Sequence, residues 1–397
     1  MIYQSIGLLA LLAFLYSAFS GRIERTPING ALLYTAFGLL FGSAGLGLFD
    51  LSVDAEGLRV IAEITLVIVL FSDAAKVDFG VLQRNSRLPQ RLLVIGLPLT
   101  ILAGFGTGLA LFRELSAIEI VILATMLAPT DAALGKAVVA DKRVSPPIRT
   151  GLNVESGLND GICVPVLFAF LAMAAPGGKE GGLLHFMIKE ISIGLACGIV
   201  ITFLGVKLLK ATAARGWIIG PWRQLPLVAL AILCFTAAQL MGGSGFIAAF
   251  CGGFLFGRLA KNHDEELLAP TEAVGDMFSM ITWTIFGAVV VGPALGALGP
   301  DVLLYSVLSL TVIRMLPVFL SLLGTPLTLS EKLFVGWFGP RGLASIVFVV
   351  IVLGEHLPNI EKIAMTVVTT VLLSVILHGV SANPLVKAMA RKNSKAG

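Results

Sequence analysis

Residues 117–139 read AIEIVILATMLAPTDAALGKAVV, and residues 151–175 read GLNVESGLNDGICVPVLFAFLAMAA. Each is about as long as an α-helix must be to cross a hydrocarbon core of about 30 Å, which takes roughly 20 apolar residues. Each also carries something that lipid does not tolerate uncompensated. The first is interrupted by Ala128-Pro129-Thr130-Asp131. Proline removes a backbone donor and clashes with the preceding turn, so the carbonyls freed there need partners inside the protein. The second bears Glu155, Ser156, Asn159 and Asp160. Glu155 and Asn159 are four apart, as are Ser156 and Asp160, so four oxygen-bearing side chains share one stripe of a helix. Counted from Gly151 at about 1.5 Å per residue, Asp160 lies roughly 13 Å deep. That is near the middle of a membrane.

The rest of the chain has the same character. Of its 397 residues, 57% are hydrophobic and only 13% are charged, against about 25% charged in a soluble protein. This composition excludes a soluble enzyme, a disordered chain and a nucleic-acid binder. At the scale of a membrane helix the sequence yields thirteen spans, near 3–20, 30–48, 57–72, 92–112, 117–139, 151–175, 186–209, 225–241, 243–257, 277–297, 302–323, 333–353 and 363–382. The connections are short, so the expectation is one polytopic all-α membrane domain with no soluble regulatory domain. With the N-terminus outside, 21 of the 28 Lys and Arg residues fall on inner connections, 5 fall on outer ones, and Arg314 and Arg341 fall within spans. That bias obeys the positive-inside rule and puts the C-terminus in the cytoplasm, in a multi-pass protein of the cell (inner) membrane. The first span reads as a retained helix. No positive charge precedes it and Arg22 and Arg25 follow it, the wrong polarity for a cleaved signal.

A second interruption, Gly339-Pro340-Arg341-Gly342, lies in span twelve. If spans one to six form one unit, span seven a connector and spans eight to thirteen another unit, both breaks fall in the fifth helix of a unit. The first unit begins outside and the second inside, so the two are inverted copies. Paired breaks in inverted repeats mark the substrate site of many secondary transporters. No residue-level identity between the halves is apparent in the sequence, and hydropathy and topology carry the argument.

An ionisable group at the bilayer centre costs about 2.5–3.5 kcal/mol on insertion scales. Asp160 and Asp131 are therefore functional candidates. Glu155 is more readily an ion-paired structural acid, with Arg314 or Arg341 as its partner. Carboxylates, hydroxyls, an amide and freed carbonyls are hard oxygen ligands suited to alkali cations. The four histidines, at positions 185, 263, 356 and 378, read as interfacial or near helix ends, and the four cysteines are never paired as CxxC, so a transition-metal site and a disulfide framework are not indicated. Asp73 ends span three and reads as lining an entrance or as an exposed helix-end acid.

Pro129-Thr130-Asp131-Ala132, Glu155-Ser156-Gly157-Leu158-Asn159-Asp160 and Gly339-Pro340-Arg341-Gly342-Leu343-Ala344 resemble the monovalent cation:proton antiporters, specifically the NhaP-type sodium/proton exchangers. The resemblance implies that Asp160 binds the cation (sodium or lithium) or the proton. It implies that Thr130, Ser156, Asp131 and Asn159 shape or coordinate the site, and that Glu155 pairs with a membrane arginine, Arg314 in preference to Arg341. Asn159, where electrogenic relatives carry a second Asp, implies electroneutral one-for-one exchange. The implied partners are membrane lipid, monovalent cations, protons and a second copy in a homodimer, with no cofactor and no nucleic acid. A core of 92–175 and 302–382 would move against a dimerisation domain of 3–72 and 225–297, joined by a linker helix at 186–209. Asp73-Ala74-Ala75 departs from the family in lacking a glycine commonly found there. The nearest alternative is a potassium/proton antiporter of the same family, because ligand type does not fix cavity size. More distant ones are a sodium-coupled solute symporter, an intramembrane aspartyl protease using Asp131 and Asp160, and a serine protease using Ser244.

Overall fold

A computed structural model describes residues 2–23, 26, 29–49, 55–77, 87–131, 134–139, 141–175, 183–260, 264–292, 298–355 and 357–393. Ala132, His263 and His356 lie outside these residues, as does Arg25. Among the described residues all regular structure is helical. The fold is that of an all-helical polytopic membrane protein, and each of the thirteen stretches named above is occupied by a helix. These are α1 (Ile2–Ile23), α2 (Gly30–Phe41), α3 (Ala55–Ala75), α4 (Arg87–Leu111), α5 in two pieces (Ala117–Met126 and Lys136–Val139) and α6 (Pro146–Ala174). They continue with α7 (Leu183–Ala214), α8 (Pro226–Leu240), α9 (Gly245–Leu259) and α10 (Asp264–Ile285, running on as the π-helical Phe286–Val291). Last come α11 (Pro300–Ser321), α12 in two pieces (Leu329–Trp337 and Leu343–Leu353) and α13 (Ile360–Asn393). Seven described helices are long and apolar enough to cross a membrane, and five more are apolar helices of 10–17 residues.

Local sequence sets where the broken helices begin. Ser116 and Glu119 form a reciprocal capping box at the start of α5, and Thr328 and Glu331 form another at the start of α12. Each box satisfies two orphan donors of the first helical turn. The first piece of α5 has 10 residues and the first piece of α12 has 9. The two halves of the chain thus share a residue-level echo that the hydropathy reading missed.

The chain divides into two compact units. One comprises residues 1–59, 85–159 and 280–397. Within it α4 packs on α5 and α11, the second piece of α12 packs on α5 and α13, and α11 packs on α13. Every residue of α12 from Leu343 to Val352 is buried, so its whole circumference faces protein, as a short helix in the middle of a bundle requires. A hydrophobic cluster including Leu92, Val138, Ile148, Val318, Val335 and Val386 forms part of the core of this unit.

The other unit comprises residues 60–84 and 160–279. There α7 packs on α8 and α9, and a Cβ added at Gly253 or Gly257 of α9 would run into the backbone of α3 at Phe71 or Ala75. Small residues let two helix backbones approach closely, which is how helices associate in lipid. Asp73, at the end of α3, lies 3.6 Å from Lys76, which also reaches Glu272 at 3.1 Å.

Candidate functional site

A broken helix leaves carbonyls without donors at one broken end and N–H groups without acceptors at the other, with partial negative and positive charge respectively. In the first unit the two breaks satisfy each other. The Asp131 N–H donates to the Pro340 carbonyl at 2.8 Å. The Asp131 carboxylate accepts from the Leu343 N–H at 2.9 Å and from the Leu134 N–H at 3.3 Å, so an anion sits where α12 resumes. Arg341 does the converse: its Nη1 donates to the carbonyls of Ala128 and Pro129, where the first piece of α5 ends. Ser345 Oγ donates to the Met126 carbonyl at 2.8 Å. The glycines of the motif make room for this crossing. A Cβ at Gly342 would overlap the Asp131 carboxylate, and one at Gly339 would overlap the Arg314 guanidinium.

Beside the crossing lies the stripe on α6. Thr130 Oγ1 and Ser156 Oγ are 2.9 Å apart, and Asn159 Nδ2 donates to Thr130 Oγ1 at 2.8 Å. All three residues are buried. The amide that donates to Thr130 leaves its own carbonyl oxygen buried and without a hydrogen-bond partner among the described residues. A buried polar atom of this kind calls for an explanation, an ion among them. Asp160 follows on the same helix and is half-buried.

Glu155, one turn earlier, is fully committed elsewhere. Arg314 Nη1 and Nη2 donate to its two oxygens at 2.6 and 2.8 Å, and both side chains are only 2% exposed. This bidentate geometry is the strong form of the pair. Arg341 Nη1 is instead held at the α5 carbonyls. The structure therefore brings Thr130, Ser156 and Asn159 together, joins Glu155 to Arg314, and joins Asp131 to Arg341's segment through the backbone. Asp73 belongs to the other unit.

Sequence reasoning missed His378. Its place in the sequence suggests a helix end, but it is 2% exposed on α13, with Nε2 at 2.8 Å from the Trp337 carbonyl and Nδ1 at 3.1 Å from Ser374 Oγ. Ser374 Oγ accepts from the Arg341 N–H at 2.7 Å. The imidazole thus caps the end of the first piece of α12 and supports the residue that caps α5. The signal available was the run Thr366, Thr370, Ser374, His378, a polar residue every fourth position on one face of an apolar helix.

The family profile for the transmembrane sodium/hydrogen exchanger matches residues 8–388. The chain is 25% identical over 399 residues to the K(+)/H(+) antiporter NhaP of Alkalimonas amylolytica, covering 96% of this chain and 66% of that protein. It is 27% identical over 353 residues to a Na(+)/H(+) antiporter of Schizosaccharomyces pombe, covering 81% and 73%. It is 22% identical over 393 residues to the K(+)/H(+) antiporter NhaP2 of a Shewanella strain (ANA-3), covering 94% and 64%. The chain thus spans about two thirds of the length of these NhaP relatives. Among solved structures, the sodium proton antiporter MjNhaP1 of Methanocaldococcus jannaschii at pH 8 superposes with a TM-score of 0.80 at 20% identity, covering 95% of this chain and 99% of that one. At that identity the likeness is one of fold.

Proposed function

This chain belongs to the sodium/hydrogen exchanger family, and on that premise we propose that it is a secondary transporter exchanging sodium or lithium for protons, one for one, with Asp160 loaded by each in turn. The observation that carries the reading is the carbonyl oxygen of Asn159, buried and without a hydrogen-bond partner among the described residues, next to two hydroxyls and one residue before a carboxylate. Asn159, in place of the second Asp of electrogenic relatives, supports the stoichiometry. Glu155 and Arg314 cancel, and Asp131 and Arg341 are opposite charges each spent on a helix end. Asp160 is the acid that the family resemblance assigns to the transported ion. A bare carboxylate crosses an apolar barrier at high cost, whereas the protonated and the cation-loaded forms are each near neutral, so only loaded forms move. Both oxygens of Asp131 accept backbone N–H groups, which argues against the proton-sharing aspartate pair of an aspartyl protease.

The remaining parts of the reading follow the same family logic: a homodimer, with a moving core of 92–175 and 302–382, the N-terminus outside and the C-terminus in the cytoplasm. A potassium/proton exchanger is the second reading. It is favoured by relatives named as K(+)/H(+) antiporters over more than nine tenths of this chain. Purified protein in liposomes loaded with a pH-sensitive dye, challenged with sodium, lithium and potassium with and without a membrane potential, separates the two. The expected result is a response to sodium and lithium that is insensitive to the potential and absent in Asp160→Asn. Exchange persisting in that variant would overturn the mechanism. A response to potassium alone would overturn the selectivity.

A further inference from the structure

The connection between α7 and α8 has features that transport does not use. From Ile191 to Arg258 the sequence contains five basic residues (Lys207, Lys210, Arg215, Arg223 and Arg258) and no Asp or Glu. Near the end of α7, Phe203, Leu204 and Leu208 are more than half exposed, as a face toward acyl chains would be. Beyond it the chain is shaped deliberately. Gly216 adopts φ +67 and Gly220 φ +52, the left-handed conformations that glycine takes without strain. The Gly216 and Trp217 N–H groups donate to the Ala213 and Thr212 carbonyls, which is the Schellman closure of a helix. A single 3-10 turn, Gly220–Arg223, follows before α8.

The result is a tip that presents three large apolar side chains and two cations together. Trp217, Ile219 and Trp222 are 67%, 67% and 68% exposed. The Arg215 guanidinium carbon lies 5.1 Å from the centre of the Trp217 ring, and Arg223 Nε donates to the Ile218 carbonyl at 3.4 Å. Neither arginine forms an ion pair among the described residues. Lys210 Nζ donates to the Leu259 carbonyl at 2.8 Å, which places the end of α9, with Arg258, alongside. Indole rings favour the boundary between headgroups and acyl chains, and guanidinium matches phosphate bidentately.

We infer that the α7–α8 connection is an interfacial anchor that takes anionic glycerophospholipids, with Trp217, Ile219 and Trp222 seated at the headgroup–acyl boundary and Arg215 and Arg223 on the phosphates. Charge complementarity selects this occupant, since a surface with two cations outside any ion pair among the described residues, on a stretch from Ile191 to Arg258 that carries no Asp or Glu, suits an anionic leaflet and repels a second copy of itself. The inference does not depend on which ion the protein carries.

The test uses the full chain in liposomes containing brominated phosphatidylglycerol or brominated phosphatidylcholine at equal mole fraction. The emission of Trp217 and Trp222 is obtained by subtracting the Trp217→Phe/Trp222→Phe variant, whose remaining signal comes from Trp283 and Trp337. Phosphatidylglycerol should quench this difference more strongly, with a local enrichment of about fivefold per arginine, the equivalent of about 1 kcal/mol for each basic residue near an anionic surface. Arg215→Gln/Arg223→Gln should remove the preference while keeping the quenching common to both lipids, and Arg215→Lys/Arg223→Lys should retain it, separating charge from misfolding. Equal quenching by the two lipids in the unaltered chain would overturn the inference, as would a preference that survives the glutamine pair. So would no quenching by either lipid, which would mean that protein covers this face.

Discussion

The breaks in α5 and α12 begin alike and end as opposites. Both pieces start with a capping box, both run for nine or ten residues, and both stop just before a proline. After the proline, one carries Asp131 and the other Arg341. Neither charge serves its own helix alone: Asp131 caps the resumption of α12, and Arg341 caps the end of α5. Where two broken helices cross, each can supply the charge that the other's end calls for. The broken ends that meet carry opposite partial charges, and each needs a counter-charge from the other. At the crossing, Asp131 and Arg341 each meet the broken end of the other helix.

The sharpest way to break that comparison is to unbalance the pair beside it. Glu155→Gln or Arg314→Met alone should destabilise the protein by about 3–5 kcal/mol, because it leaves a buried charge uncompensated. The double variant should recover most of the loss. Thermal unfolding in detergent reads this directly, and additive losses in the double variant would mean that the two act independently. Next come the crossing charges themselves. Asp131→Asn and Arg341→Gln should each cost up to about 2 kcal/mol, the range for a favourable, partly buried charge at a helix end. Their effects on melting temperature should be similar; a large effect from only one would refute the reciprocity. Smaller still, Ser116→Ala and Thr328→Ala should each cost about 1 kcal/mol, and equal losses would show that the matched starts matter equally.

The smallest effect lies outside the spans. Lys362 bonds Glu114 and Asp301, and its hydrogen bond holds the Glu114 carboxyl below the usual carboxylate range. A lowered acid contributes stability above its unfolded value of about 4.5 and loses it as the pH falls through the folded value. Glu114 is largely exposed, so solvent screening limits the gain to below about 1 kcal/mol. Glu114→Gln should lower the melting temperature slightly at neutral pH, and the difference should vanish in acid. A gap that persists at low pH would point to packing instead.

Much of this was legible in the sequence, because a membrane imposes its demands residue by residue. The helices follow from runs of apolar residues, and the breaks from proline in the wrong solvent. What escaped was pairing at a distance. Arg314 sits in an uninterrupted span and Arg341 at a break, which favours Arg314 as the partner of Glu155, 159 residues before it, but nothing along the chain says that Arg341 reaches the carbonyls of α5 instead. His378 escaped for the same reason. Its role depends on the Trp337 carbonyl, and a carbonyl leaves no mark in a sequence. The echo between the halves was present in Ser116-x-x-Glu119 and Thr328-x-x-Glu331, but hydropathy does not register polar caps.

The stitch between the breaks also has a consequence for how the protein is made. The groups that complete the α5 end lie 212 residues downstream, and ribosomes add about 5–20 residues per second. For roughly 10–40 seconds of synthesis, then, the first half waits in or beside the translocon with its break unfinished. Until the second half arrives, those carbonyls lack the guanidinium that holds them in the finished protein.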